Sequence, residues 1–410
     1  MSAPMPLPRL LVLNQYYHPG VEATAHLLTE LCESLTPDYR VTVITGRLRD
    51  REDQPDYELR NGVEIVRVHS TSFDRASIYG RVANYFTYLG RAFRRGLTAQ
   101  RPDIILCMTD PPLVGDIGYL IARRFRRPLV VVSQDVFPEV AVNLKRLRQP
   151  IVIALLAALI AFYLRRAARI VAIGPVMRDR LIAKGASPDR ISVIPNWVDV
   201  AAITPRDHDN AWSQEQGLDE RFVVMHSGNV GHAQNLDTLL RATLELRDLH
   251  DLLLLIVGTG ARHAEIFGQA QALADDRIRF LPYQPRDRLS ESLSSAHVHY
   301  VGLSPGLAGF VVPSRLYGVL AAARPVLVAA DPQSETAALV REIECGVVVP
   351  PNCPDQVARA IREFASGEHD LSEMGRRGRA YVEEHASLKE ATARYRALLG
   401  DVRGRPASPC

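Results

Sequence analysis

Short, wholly apolar runs alternate along the chain with longer segments of helical period. In the first half the runs Leu10–Asn14, Val41–Thr45, Val63–His69, Ile104–Met108, Leu129–Ser133, Ile170–Ile173 and Ile191–Ile194 read as strands. Helical patterns lie between them at Ala23–Leu35, Arg81–Leu97, Leu113–Phe125, Ile151–Arg166 and Val176–Lys184. A polar stretch, Asp199–Glu220, interrupts the series. It then restarts with strand candidates at Phe222–His226, Leu252–Val257, Ile278–Leu281, Val298–Val301, Val326–Ala329 and Gly346–Val349, each followed by a helical pattern. Strands without polar alternation are buried on both faces, and strand–helix alternation is the mark of parallel sheets. The pattern therefore predicts an α/β protein of two doubly wound Rossmann-like domains facing across a cleft. The first spans 1–199, a linker 200–218 and the second 219–385. A helix at 386–400 is expected to pack back on the first domain, ahead of a disordered tail at 401–410. Ligands of such sheets sit beyond the carboxyl ends of the strands, so the site is expected in the cleft.

Charge divides the two halves. Residues 1–200 carry 27 basic and 19 acidic side chains, a net of +8, whereas 201–410 carry 22 and 27, a net of −5. Almost all of the basic excess is arginine. A polarised basic half suits an anionic partner: lipid headgroups, nucleic acid or a polyphosphate. The alternative is a solvated arginine-rich surface. Five cysteines without a close pair make neither a disulfide framework nor a zinc cage, so the reducing cytosol is the expected compartment. The start, MSAPMPLPRLLVLN, lacks a basic leader and a long apolar run, and is not read as a signal peptide.

Candidate chemistry clusters after the strands. Pro19-Gly20 turns the chain from the first strand towards a helix. Gly228-Asn229-Val230-Gly231 and Gly258-Thr259-Gly260 make two glycine turns at one edge of the second sheet, read as backbone amides free to cradle an anion. Neither GxGxxG nor a P-loop is present, which disfavours dinucleotide enzymes and P-loop ATPases. Arg315 falls in the first turn of a helix, where a cation opposes the helix dipole, so it is either held by an anion or a surface residue. Asp135 and Glu139 follow an apolar strand and suit acid/base chemistry or sugar hydroxyls; Asp135 as a local turn cap is the alternative. The pair Asp207 and Asp209 reads as solvated linker. No metal and no cofactor are expected.

Ile151–Leu164 is a run of fourteen apolar residues flanked by Lys145, Arg146, Arg148, Arg165, Arg166 and Arg169. It is too short to span a bilayer, and is either a core helix or an interfacial one whose arginines reach headgroups. With Arg94, Arg95 and Arg123 to Arg127 nearby, an anionic membrane surface is the expected partner. Nucleic acid is not expected, because interleaved aromatics and any recognised module are missing.

The segments YYHPGVEATA, SQDVFPE, ISVIPNWVD, SGNVGHAQNLDTLL, IVGTG and PSRLYGVLAAARPVL together resemble the bacterial GT4 glycosyltransferases of the GT-B fold. Within them the chain is similar to the WbuB/WcaI-like group of O-antigen, capsule and exopolysaccharide synthesis, over about residues 9–400. The resemblance implies a retaining glycosyltransferase that uses a UDP- or GDP-sugar and a lipid-linked saccharide acceptor. The sugar would be a hexose, deoxyhexose or N-acetylhexosamine; the arginine-flanked apolar segment adds the expectation that the enzyme lies peripherally on the inner face of the plasma membrane. It implies Asp135, Glu139 and Arg315 as catalytic residues. Gly20, Gly228, Asn229, Gln234, Gly258, Gly260, Phe310, Val311, Ser314, Arg315 and Leu316 would bind the donor. Asn229 and Gln234 fall where many relatives place a basic pair, which leaves Arg315 as the cation for the leaving diphosphate. Where many relatives carry two glutamates eight residues apart, this chain has Phe310 and Gly318. Two other classes remain: a UDP-N-acetylglucosamine 2-epimerase-like enzyme, and a non-catalytic binding partner.

Overall fold

The computed structural model describes residues 6–20, 22–48, 54–71 and 78–404. The chain forms two compact units. The first is built from residues up to Val142, from Leu147–Pro195 and from Ala391 onward; the second from Asn143–Arg146 and Asn196–Glu390.

The first unit holds β1 (Arg9–Leu13), β2 (Arg40–Gly46), β3 (Tyr57–Arg60), β4 (Val63–Val68), β5 (Ile104–Met108), β6 (Leu129–Ser133), β7 (Arg169–Ala172) and β8 (Ile191–Val193). They form one sheet in the order β3-β4-β2-β1-β5-β6-β7-β8. All its pairings are parallel except β3 with β4. β5 and β6 are buried at every residue, as their unbroken apolar runs require. Strand order reverses at β1, which lies between β2 and β5, so the crevice expected of a doubly wound sheet opens beyond β1 and β5.

The second unit holds β9 (Phe222–Ser227), β10 (Leu252–Val257), β11 (Ile278–Leu281), β12 (Val298–Gly302), β13 (Val326–Ala329) and β14 (Gly346–Val349). They form an all-parallel sheet in the order β11-β10-β9-β12-β13-β14. Its order reverses between β9 and β12. One core covers one face through Leu239, Ile256, Tyr300, Ile361 and Phe364; another covers the opposite face through Leu316, Tyr317, Leu320 and Val328.

Two expectations need correction. Residues 200–218 are not a solvated linker but part of the second unit. Asn210 caps the helix Ala211–Glu215 with a reciprocal Ser213 bond, and Trp212 is buried against Val223, Met225 and Leu255. The Trp212 indole N–H donates to Gln284 Oε1 at 2.9 Å, which satisfies its polar edge. The tail is shorter than expected, because Leu388–Gly404 is one continuous helix. Its last turn is tied to the first unit by Asp401 pairing with Arg169, and Arg396 pairs with Asp38 at 2.6 Å. Residues 405–410, the rest of the expected tail, lie outside the described residues, as do residues 1–5 and Val21.

Candidate functional site

The polar features of the second unit converge where its strand order reverses. β9 ends in the turn Gly228–Gly231 and β10 in the turn Gly258–Gly260. The two turns interlock through backbone. The Gly228 N–H donates to the Val257 carbonyl at 2.9 Å, Val230 N–H to Thr259 at 2.9 Å, and Gly258 N–H to Leu281 at 2.8 Å. The Gly231 N–H donates to Gln234 Oε1 at 3.0 Å. The expected cradle of free amides is therefore corrected at residues 228, 230, 231 and 258, whose donors are already engaged. The glycines serve close approach instead. Gly258 has φ +131°, and a Cβ there would collide with the Gly228 carbonyl oxygen. A Cβ on Gly260 would meet the Asn229 side chain. Asn229 is exposed, with its side chain lying against Gly260, and Gln234 spends its carbonyl on the loop it belongs to.

Charge at this edge comes from Arg315. It opens the helix Arg315–Ala321, whose N-cap Ser314 makes no side-chain cap bond. The Arg315 side chain runs back to β9, and a Cβ on Gly228 would lie 3.9 Å from it. Arg315 Nη1 lies 2.8 Å from His226 Nδ1 and 3.0 Å from Nε2. Nearly equal distances to both ring nitrogens put the guanidinium over the face of the imidazole, since an in-plane approach between them would strike Cε1. Among the described residues Arg315 pairs with no carboxylate. Burial lowers its pKa to about 10, with Tyr283 and Tyr300 nearby. An unneutralised, partly buried guanidinium beside a glycine turn is a site for an anion. Leu316 and Val311 do not share it: Leu316 is buried and Val311 packs against the same apolar core. Phe310 and Ser314 are partly exposed. Position 318 borders Leu293 and Ile203, an apolar environment.

In the first unit Asp135 follows β6 and Asp110 follows β5, on adjacent strands. The Thr109 hydroxyl accepts the Gln134 N–H at 3.1 Å, tying the two strand ends together. Burial raises Asp135 to about 7, with the Asp110 charge adding to it, and raises Asp110 to about 6. Asp135 also lines a small cavity with Thr109, Ser133, Ile160 and Tyr163. Sequence reasoning passed over Asp110, although the signal that marked Asp135, a carboxylate just past a wholly apolar strand, marks it equally. Glu139 Oε1 pairs with Lys184 at 2.7 Å, which tethers the side chain, while its Oε2 is buried without a hydrogen-bond partner. Gly20 belongs to the same unit. Its N–H donates to the Tyr17 carbonyl at 2.8 Å, and a Cβ would press on that oxygen, so it serves a tight turn. Among the described residues no His, Cys, Asp and Glu group could hold a metal ion.

The apolar segment forms the helix Pro150–Arg166. Ile160, Tyr163 and Leu164 are buried, but Ile151 is 83% exposed and Leu155 59% exposed, so it is not a core helix throughout. Arg166 covers the Phe162 ring at 3.9 Å, and Phe162 stacks edge-on with Tyr119 of the neighbouring helix. Phe86 and Leu120 are also exposed on the first unit, with Arg94, Arg95, Arg123 and Arg124. Among the described residues no helix is long and apolar enough to cross a membrane.

Comparison with known proteins places these sites in context. Residues 20–197 match a glycosyl transferase 4-like domain and residues 209–381 match glycosyl transferases group 1. The chain is 29% identical over 409 residues to a Pseudomonas aeruginosa protein named "Probable glycosyltransferase WbjE", covering 96% of this chain and 99% of that one. It is 27% identical over 232 residues to WcaI of Escherichia coli (strain K12), 56% of this chain and 55% of that one. Among solved structures, Anabaena Alr3699/HepE in complex with UDP and glucose superposes with a TM-score of 0.76 at 14% identity, covering 96% of this chain and all of the other.

Proposed function

The chain belongs to the group 1 glycosyltransferases and has the GT-B fold; from that premise we propose that it moves a hexose, deoxyhexose or N-acetylhexosamine unit from a UDP- or GDP-sugar to a lipid-linked saccharide in cell-surface polysaccharide biosynthesis, with retention at the anomeric carbon. The observation that carries this reading is Arg315, a guanidinium without a carboxylate partner among the described residues, set against the Gly228 turn where the second sheet reverses order. As the bond from the anomeric carbon to the diphosphate breaks, negative charge grows on the departing phosphate oxygens. A fixed cation at that point lowers the barrier because it interacts more strongly with the transition state than with the substrate. Asp135, with Asp110 beside it, takes the acceptor: a carboxyl raised to about 7 can both donate to and accept from sugar hydroxyls near neutral pH. The relative WcaI carries a name that assigns it to colanic acid biosynthesis, and HepE holds UDP and glucose, which support a nucleotide-sugar donor and a polysaccharide product.

A lipid-linked acceptor is reached at a membrane. The helix Pro150–Arg166 offers Ile151, Val152 and Leu155 outward, with Arg165 and Arg166 exposed at its end. Each large aliphatic side chain buried in the acyl boundary contributes about 1.5–3 kcal/mol, and each arginine at an anionic surface about 1 kcal/mol. We place this face on the inner leaflet of the plasma membrane. Incubation with radiolabelled UDP- and GDP-sugars and membrane lipid extract should carry label into the lipid phase. Absence of transfer from every donor contradicts the reading. A donor sugar altered without acceptor would instead identify a 2-epimerase.

A further inference from the structure

His226 is the fifth residue of β9, a strand otherwise filled by Val223, Val224 and Met225 in the core, and its side chain is fully buried. A polar ring at such a position needs partners. One nitrogen, Nε2, faces the Asn229 carbonyl at 3.3 Å, which anchors the ring to the glycine turn. Its face carries the Arg315 guanidinium at 2.8–3.0 Å. Burial first, then the Arg315 charge, pushes the imidazole well below its ordinary pKa, so the ring is neutral. Its other surroundings do not change that state. His299 on β12 is itself lowered to about 4, and Tyr300 is pushed up by burial, so neither carries charge near neutral pH.

Arginine is rarely buried without a partner. Here Arg262 grips Asp237 and Arg277 grips Asp275, each through charge-assisted pairs. Such a partner fixes the guanidinium but also cancels its charge. We propose that His226 is a positioning residue: an uncharged platform that holds the Arg315 guanidinium at the Gly228 turn without neutralising it, so that the whole cation remains available to the diphosphate of the donor. The inference rests on the reading that a nucleoside diphosphate occupies the Arg315 site. It adds a residue that acts through Arg315 rather than on the substrate. A carboxylate at 226 would form the ion pair that the native ring avoids and would compete with the diphosphate for the same donors.

The test compares His226→Asn with His226→Asp in the full chain, using calorimetric titration with UDP, GDP and inorganic pyrophosphate. The uncharged variant should bind the wild type's preferred ligand within about fivefold of wild type. The charged one should lose about 10- to 100-fold, the range of a hydrogen bond to a charged group. In an Arg315→Met background the gap between the two variants should close, which a purely structural role for His226 would not produce. Circular dichroism and melting curves establish that both variants fold. Should His226→Asp not fold, His226→Gln and His226→Glu make the same comparison. Equal affinities for the neutral and charged variants, or a gap that survives in the Arg315→Met background, overturn the proposal while leaving the donor reading intact. Failure of the wild type to bind any of the three ligands overturns the donor reading, and this inference with it.

Discussion

Replacing Arg315 by Met removes one charge while keeping much of the side chain's length. The guanidinium lies over a neutral ring and beside Gly228, with no carboxylate on it among the described residues. Its charge is therefore unspent in the free protein. For a unit charge pair about 4 Å apart at an effective dielectric near 20, the interaction is about 4 kcal/mol. Removal of a single donor aimed at developing negative charge costs about 2.7–4 kcal/mol in comparable sites, or about 10²–10³ in kcat. We expect a fall of that size in kcat for sugar transfer from whichever nucleotide-sugar proves active. Stability should move the other way. A buried charge without a partner costs desolvation, so the unliganded variant should melt no lower than wild type, whereas the stabilisation conferred by nucleoside diphosphate should shrink but stay measurable. Steady-state transfer kinetics and thermal melts with and without UDP or GDP measure both. A kcat within about threefold of wild type, together with an undiminished ligand-induced shift, would refute the assignment of charge stabilisation to Arg315.

Two further outcomes follow from the first unit. Asp135 and Asp110 are raised to about 7 and about 6, above the unfolded carboxyl value near 3.9. Between about 4 and 7 the folded chain then holds more protons than the unfolded one, so these groups cost stability as pH rises through that window. Asp135→Asn should raise stability at pH 8 by up to about 4 kcal/mol and leave it nearly unchanged near pH 4 by denaturant titration; a pH-independent difference contradicts the burial argument. Flotation with anionic liposomes should drop by at least about tenfold for Ile151→Glu with Leu155→Glu, and fall further when Arg165 and Arg166 become Glu. Undiminished flotation would remove this face from the membrane.

Much of the fold was legible because parallel strands buried on both faces are runs of one kind of residue. LLLLIV and LVVVS admit few other readings, and the strand limits Ile104–Met108, Leu252–Val257 and Val326–Ala329 coincide with the pattern. The strand that escaped, β3, is the short antiparallel YELR, whose half-exposed polar residues carry no such run. The stretch around Trp212 escaped for the opposite reason: one aromatic anchor among polar residues folds a segment that composition assigns to a linker. At the site, sequence located the glycine turns and Arg315 but misjudged what the glycines do. Backbone donors at 228 and 258 are consumed by neighbouring strands, a tertiary fact that local spacing does not encode. Nor could an all-apolar helix announce that Ile151 and Leu155 face outward, since it lacks the polar stripe from which orientation is read. His226 was silent because a lone histidine in an apolar strand looks like any core histidine until its neighbour across the sheet edge is known.

The central claim is that the second unit holds the diphosphate of a nucleotide-sugar at the Gly228 turn with Arg315 as its cation. A crystal structure of the full chain soaked with UDP or GDP tests it most directly. Phosphate oxygens should lie about 2.7–2.9 Å from the Arg315 guanidinium nitrogens, with the His226 ring still beneath them. Diphosphate bound away from Arg315, or Arg315 unmoved and uncontacted in a liganded structure, would contradict the account.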